Sequence, residues 1–124
     1  MNTGKVPDSI RTTNLIGIKA GLTRTDFLEI WMVVVHDRIF ARSWGLAEKS
    51  WYNCFLENPQ GQISCDGNIY DIEAIIPSDI HDLTDEINDA YLTKYNSDHN
   101  IRYSKAIIRK EHISRTMEII IKDL

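Results

Sequence analysis

The stretch Ile30-Trp31-Met32-Val33-Val34-Val35-His36-Asp37-Arg38-Ile39-Phe40-Ala41-Arg42-Ser43-Trp44 decides the fold. Two apolar runs rich in Val, Ile, Phe and Trp flank a polar break at His36-Asp37-Arg38, the pattern of a β-hairpin with a tight connection. Past Trp44 the pattern changes. Gly45 interrupts the second strand, and Trp51, Tyr52, Phe55 and Leu56 fall at helical spacing, so a short amphipathic helix over 49–56 is expected. Arg38, Arg42 and Lys49 all belong to this unit, which makes it the place to look for an anionic small-molecule ligand.

Working outward, residues 14–21 read as a first strand, Leu15-Ile16-Gly17-Ile18-Lys19-Ala20, closed by Gly21. Residues 1–13 carry Gly4, Pro7 and small polar side chains and read as a flexible N-terminal arm with one helical turn after Asp8; residues 14–124 then form a single domain. On the other side, Asn58-Pro59 ends the helix, because the residue before a proline avoids helical geometry. Asp66-Gly67 joins two further strands, 62–65 and 68–76, as a type I′ hairpin. Tyr70, Ile72, Ala74 and Ile76 alternate with Ile69, Asp71, Glu73 and Ile75, as a sheet with one dry face requires. Ser78 is expected to cap a helix striped by Ile80, Leu83, Ile87, Ala90 and Tyr91, with acidic residues early and Lys94 late, in keeping with the helix dipole. Residues 105–109 and 115–122 complete about seven short strands. Helices do not alternate regularly with strands, so the architecture expected is mainly β with flanking helices, an antiparallel barrel that is closed or half closed.

Composition narrows the function classes. The chain has 124 residues, a net charge of −4 and 26% charged residues, giving no footprint for nucleic acid. No apolar run approaches the ~20 residues of a spanning helix, and no signal core follows the start, so neither membrane nor export is expected and the cytoplasm is the expected location. Cys54 and Cys65 lack metal or redox spacing and read as two thiols. His36, His81, His99 and His112 share no ligand spacing, so no metal site is expected. No Walker loop, dinucleotide glycine motif or Gly-x-Ser-x-Gly elbow occurs, and no catalytic acid–base pair stands out.

Several stretches together resemble a known family: 30–35 through Ala41-Arg42-Ser43-Trp44, the Trp51-Tyr52 pair, Asn58-Pro59-Gln60-Gly61-Gln62-Ile63, the helix end Tyr91-x-x-Lys94-Tyr95, and Ser114-Arg115-Thr116-Met117. They look like the signatures of an uncharacterised bacterial domain family that is similar to the flavin-binding split barrels, which include pyridoxamine phosphate oxidase and the deazaflavin-dependent nitroreductases. The resemblance covers about 15–121. It implies an antiparallel split β-barrel, usually a homodimer, holding FMN or a deazaflavin for oxidoreductase chemistry on a small molecule. Carried over by position, it implies cofactor binding by Arg42 and Ser43 at a strand end, Lys49 in the loop and Trp51 at the helix start. The chain departs from the nitroreductases in having Gly45-Leu46 where they usually show a Gly-Gly pair, which leaves fewer backbone N–H groups open to a phosphate.

Each feature also has a plainer reading. Arg38 and Arg42 serve equally as charges that guard an edge strand. Trp51 and Tyr52 serve as core packing, and Tyr91, Lys94 and Tyr95 as a helix end whose tyrosines reach a wet surface. On that reading the chain is a cofactor-free dimeric binding module. The run Ile119-Ile120-Ile121 and the Trp-rich hairpin are expected to need cover from a second subunit.

Overall fold

The computed structural model describes residues 6–21, 26–45 and 50–122. In chain order the elements are α1 (Asp8–Thr12), β1 (Ile16–Ala20), β2 (Leu28–Ile30), β3 (Val33–Val35), β4 (Arg38–Arg42), α2 (Trp51–Glu57), β5 (Gln60–Cys65), β6 (Asn68–Ile75), α3 (Thr84–Lys94), α4 (Ile101–Ile107), α5 (Lys110–Ile113) and β7 (Thr116–Ile121). The strands make one antiparallel sheet of seven, ordered β2-β1-β5-β6-β7-β4-β3.

Both predicted tight turns form. His36 and Asp37 sit at φ 53° and 59°, and Asp66 and Gly67 at 51° and 80°, the left-handed pairs that let the strands keep their twist. Val33 pairs with Phe40 and Val35 with Arg38; Ser64 pairs with Ile69 and Cys65 with Asn68. The first apolar run is not one strand, however. It breaks at Trp31-Met32, and the pieces either side, β2 and β3, lie at opposite edges of the sheet. Three Cα steps separate Ile30 from Val33, a reach of at most about 11 Å. A seven-stranded sheet whose two edges are tied this closely cannot lie flat, and it curls into a half-barrel with helices on its flanks.

The concave interior is filled by Ile16, Ile18, Ile39, Ala41, Ile63, Ile72, Ala74, Met117 and Ile119, with α2 contributing Trp51, Tyr52 and Phe55. Close packing of α2 explains Gly61: a Cβ there would lie 2.4 Å from the Lys19 carbonyl oxygen and 2.7 Å from the Phe55 ring. A second, outer core joins Val33, Val35 and Phe40 to Leu83, Ile87, Tyr91 and Tyr95 of the α3 region and to Ile107 of α4. Strand β4 is therefore covered on both faces.

Several expectations are corrected. Val6 and Ile10 are buried in the larger core, so the arm expected to be flexible is anchored from Val6 onward. Residues 105–109 do not form a strand; α4 occupies this region because Ser104 and Ile107 recur at helical spacing on its buried side. Ser78 does not cap α3, which starts at Thr84 after a series of turns. Those turns are held by Asp79, whose carboxylate takes the Arg38 guanidinium at 2.8 and 2.9 Å. The end of the chain needs no second subunit, since β7 is central between β6 and β4 and buries Ile119 and Ile121 itself. Cys65, beside its turn, is buried. Among the described residues, no helix is long and apolar enough to cross a membrane.

Candidate functional site

Arg42 ends β4, and the edge-guarding reading fails for it and for Arg38. β4 is an inner strand, bonded to β7 on one side and β3 on the other. Arg38 is held by two carboxylates, Asp79 and Glu118, whose hydrogen bonds raise its pKa and lower that of Asp79. Arg42 is only 3% exposed and meets no carboxylate among the described residues. Its Nε donates to the Thr116 hydroxyl at 3.1 Å, and Nη1 donates to Asn88 Oδ1 at 2.5 Å and to the Ile107 carbonyl at 3.5 Å. The Tyr91 ring lies 5.5 Å from the guanidinium carbon. Burial lowers the Arg42 pKa, yet an arginine stays a cation across the physiological range. A permanent charge has thus been taken out of water and met only by neutral dipoles, an arrangement that costs stability unless an anion joins it.

Beside Arg42 is a cavity of about 480 Å³, within the range of small-molecule sites. It lies between β1, β2 and the end of β4, along the seam where the half-barrel's two sides face each other. Its walls are mainly apolar and include the three tryptophans Trp31, Trp44 and Trp51 together with Tyr103. Among the described residues, Lys19, Asp26, Glu29 and Arg42 supply its charges, two of each sign. Trp44, half exposed at the rim, stacks on His112 with ring centres 5.0 Å apart and 10° between planes, and Tyr103 meets it edge-on. His112 donates from Nδ1 to the Ser43 carbonyl at 2.9 Å, which fixes both the ring and the strand end.

Of the residues singled out from the sequence, Arg42, Ser43 and Trp51 line this cavity together. Lys49 lies outside the described residues. Ser43 is fully buried and its hydroxyl donates to the Gly45 carbonyl at 2.7 Å. Trp51, one residue after the Ser50 cap of α2, is largely core, edge-on to Tyr52 and Phe55. Sequence reading missed Trp31 and Tyr103 as wall residues. Trp31 interrupts a run of aliphatic strand residues, and such a break was the available signal; Tyr103 comes from a helix read as loop and strand. Among the described residues, no three potential ligand side chains gather to hold a metal ion.

The Tyr91-x-x-Lys94-Tyr95 signature adjoins this cavity without lining it and has a different role. Its groups close the half-barrel. The Tyr95 hydroxyl accepts from the Met32 N–H at 3.1 Å and lies 2.6 Å from the Asn14 carbonyl, to which it donates. Lys94 Nζ donates to the Met32 and Ile10 carbonyls at 2.7 and 2.9 Å. The Tyr91 hydroxyl accepts from the Arg42 N–H at 2.9 Å. Trp31 stacks on Tyr95 at 4.0 Å. These bonds satisfy the backbone where the chain crosses from one sheet edge to the other without strand pairing. Desolvation pushes Lys94 down to about 8, and Tyr91 up to about 12, while Tyr95 also rises.

The chain belongs to the family described as uncharacterized proteins conserved in bacteria (DUF2255), whose model matches residues 13–119. Among the solved structures, it is similar to the conserved hypothetical protein Rv2991 from Mycobacterium tuberculosis, with 8% identity and a TM-score of 0.58 over 94% of this chain and 78% of that one. At that identity the likeness is one of fold. No curated protein matches the sequence.

Proposed function

We propose that the protein binds a flat aromatic small molecule with an anionic end in the 480 Å³ cavity, that FMN or a deazaflavin is that molecule, and that the protein works as a split-barrel oxidoreductase. The observation that carries this reading is the meeting of three tryptophans with a buried arginine that has no carboxylate partner among the described residues. The chemistry of the walls fits such a group: Trp31, Trp44 and Trp51 suit a planar ring, and Arg42 suits a phosphate or acidic tail. A bound flavin would supply the electron transfer. The chain's own part is to bind, orient and shield, so the lack of an acid–base pair does not count against the reading. The cytoplasm as location and a homodimer as the assembly belong to the same proposal.

A second reading is favoured by one observation. Both Arg42 and the Ser43 hydroxyl already bond to groups of the chain itself, which suits a cofactor-free binding module that keeps the barrel and takes another ligand. Absorbance of the purified protein in the flavin bands, release of chromophore by heat, and titration with FMN and a deazaflavin separate the two. The flavin reading expects saturable binding that Arg42→Ala weakens by about 1.5–3 kcal/mol. A folded sample that takes up neither compound leaves the cofactor-free module. Mass measurement on a sizing column tests the dimer.

A further inference from the structure

Arg42 also lines a second, smaller cavity of about 220 Å³. Its polar wall consists of Arg42, Tyr52, His81, Thr84, Ser114 and Thr116, and its apolar wall is made of isoleucines from the turns before α3, from α3 itself and from α5. We infer that this cavity is a binding site for a tetrahedral oxyanion such as phosphate or sulfate, distinct from the aromatic cavity and sharing with it, among the described residues, Arg42 alone.

Charge is the first argument. The cavity wall contains a buried guanidinium and no carboxylate among the described residues. Asp82, Asp85 and Glu111 stand on neighbouring segments without lining the cavity, and Asp79 before Ile80 and Glu118 two residues beyond Thr116 are held by Arg38 at 2.8 and 3.0 Å. The last two are unavailable to Arg42. A second cation stands next to the cavity: Arg115, between the wall residues Ser114 and Thr116, has a buried Nη1 with no hydrogen-bond partner among the described residues, and its guanidinium carbon lies 5.5 Å from the ring centre of Tyr52. Buried donors left unmatched are rare in folded proteins and mark places where a water or an ion belongs.

Donor chemistry and size agree. Among the described residues, the titratable groups on the wall besides Arg42 are His81, on the exposed turn, and Tyr52, whose hydroxyl donates to the Ser114 carbonyl at 3.2 Å. Thr84, at the first residue of α3, brings a hydroxyl that makes no hydrogen bond among the described residues, and it stands at the positive end of an 11-residue helix. The volume of about 220 Å³ has room for a small oxyanion with part of its hydration.

The test is titration of the full chain with inorganic phosphate and with sulfate at constant ionic strength, followed by calorimetry and by amide shifts. Saturable one-to-one binding is expected, with shifts at Thr84 and Ser114 and little change at Trp44. Arg42→Met should weaken binding about tenfold or more, and Thr84→Val by a smaller factor. No saturable binding, equal binding in the wild type and both variants, or shifts confined to the tryptophan side would each overturn the inference. If Arg42→Met does not fold, Arg42→Lys and Thr84→Val carry the comparison, since both keep the wall packed. Competition then identifies the source of the anion: displacement of phosphate by FMN and not by riboflavin assigns the site to a flavin's own phosphate, and phosphate bound alongside FMN assigns it to a free oxyanion. Neither result depends on the flavin reading, because phosphate alone is the probe.

Discussion

Two regions of this molecule look alike in the sequence and differ in the fold. Arg42, Ser43, Trp44, Lys49 and Trp51 fall within one stretch; Tyr91, Lys94 and Tyr95 stand together in another. Both combine large aromatics with a cation, the composition that suggests a ligand site. Around Lys94 every polar group is met: two carbonyls take the ammonium, and the tyrosine hydroxyls meet backbone groups of Met32, Asn14 and Arg42. Around Arg42 the guanidinium has, among the described residues, neutral partners only, and cavities lie beside it on two sides. The difference teaches that residue types do not distinguish a closure from a site. What distinguishes them is whether the hydrogen-bonding capacity is used up and whether room is left over.

That contrast breaks most readily at Tyr95. Tyr95→Phe removes the hydroxyl from the Met32 N–H and the Asn14 carbonyl, and the expected loss is about 2–4 kcal/mol in urea unfolding, the cost of orphaning buried groups. An unchanged midpoint would mean that the crossing between the sheet edges does not need its clamp.

Lys94 sharpens the same contrast through pH. Its folded value is lowered to about 8 from 10.5, so the unfolded chain binds more protons between those values and stability rises with pH there. The stability of the wild type relative to Lys94→Met should therefore increase from about pH 8 upward, by about 1–2 kcal/mol once partial solvent screening is allowed for. Above about pH 10 both proteins lose stability, because folding raises the tyrosine values and the unfolded chain ionises first, and this common term cancels in the difference. A flat difference across this range would show that the ammonium is better solvated than its burial implies.

The smallest effect on stability is expected on the cavity side. Trp44 is 52% exposed, and Trp44→Ala should cost less than about 1 kcal/mol while removing a wall of the aromatic cavity. A large loss of stability would move Trp44 from the site to the core and weaken the distinction between the two regions.

Much of the fold was legible because it rests on neighbours in sequence. His36-Asp37 and Asp66-Gly67 adopt left-handed turns through their own backbone preferences, and Asn58-Pro59 stops a helix by local steric conflict. The misread element, 105–109, has β-branched residues without clear punctuation, and α4 is chosen there by contacts with the outer core. In the candidate site, Arg42, Ser43 and Trp51 were legible as types in a recognisable order, while the walls supplied by Trp31 and Tyr103 were not.

The sequence by itself determined the turns, the alternation of strands such as β6, the helical stripe of α3 and the membership of a bacterial family. Tertiary structure alone decided that β2 and β3 would sit at opposite edges, that the tyrosines of the α3 region would close the half-barrel, and that Arg42 would be buried with no acid among the described residues to meet it. The reason is distance along the chain. Backbone preferences act over a few residues, whereas the partners of the Arg42 guanidinium come from 46, 65 and 74 positions away. Only the curling of the sheet brings them to one place.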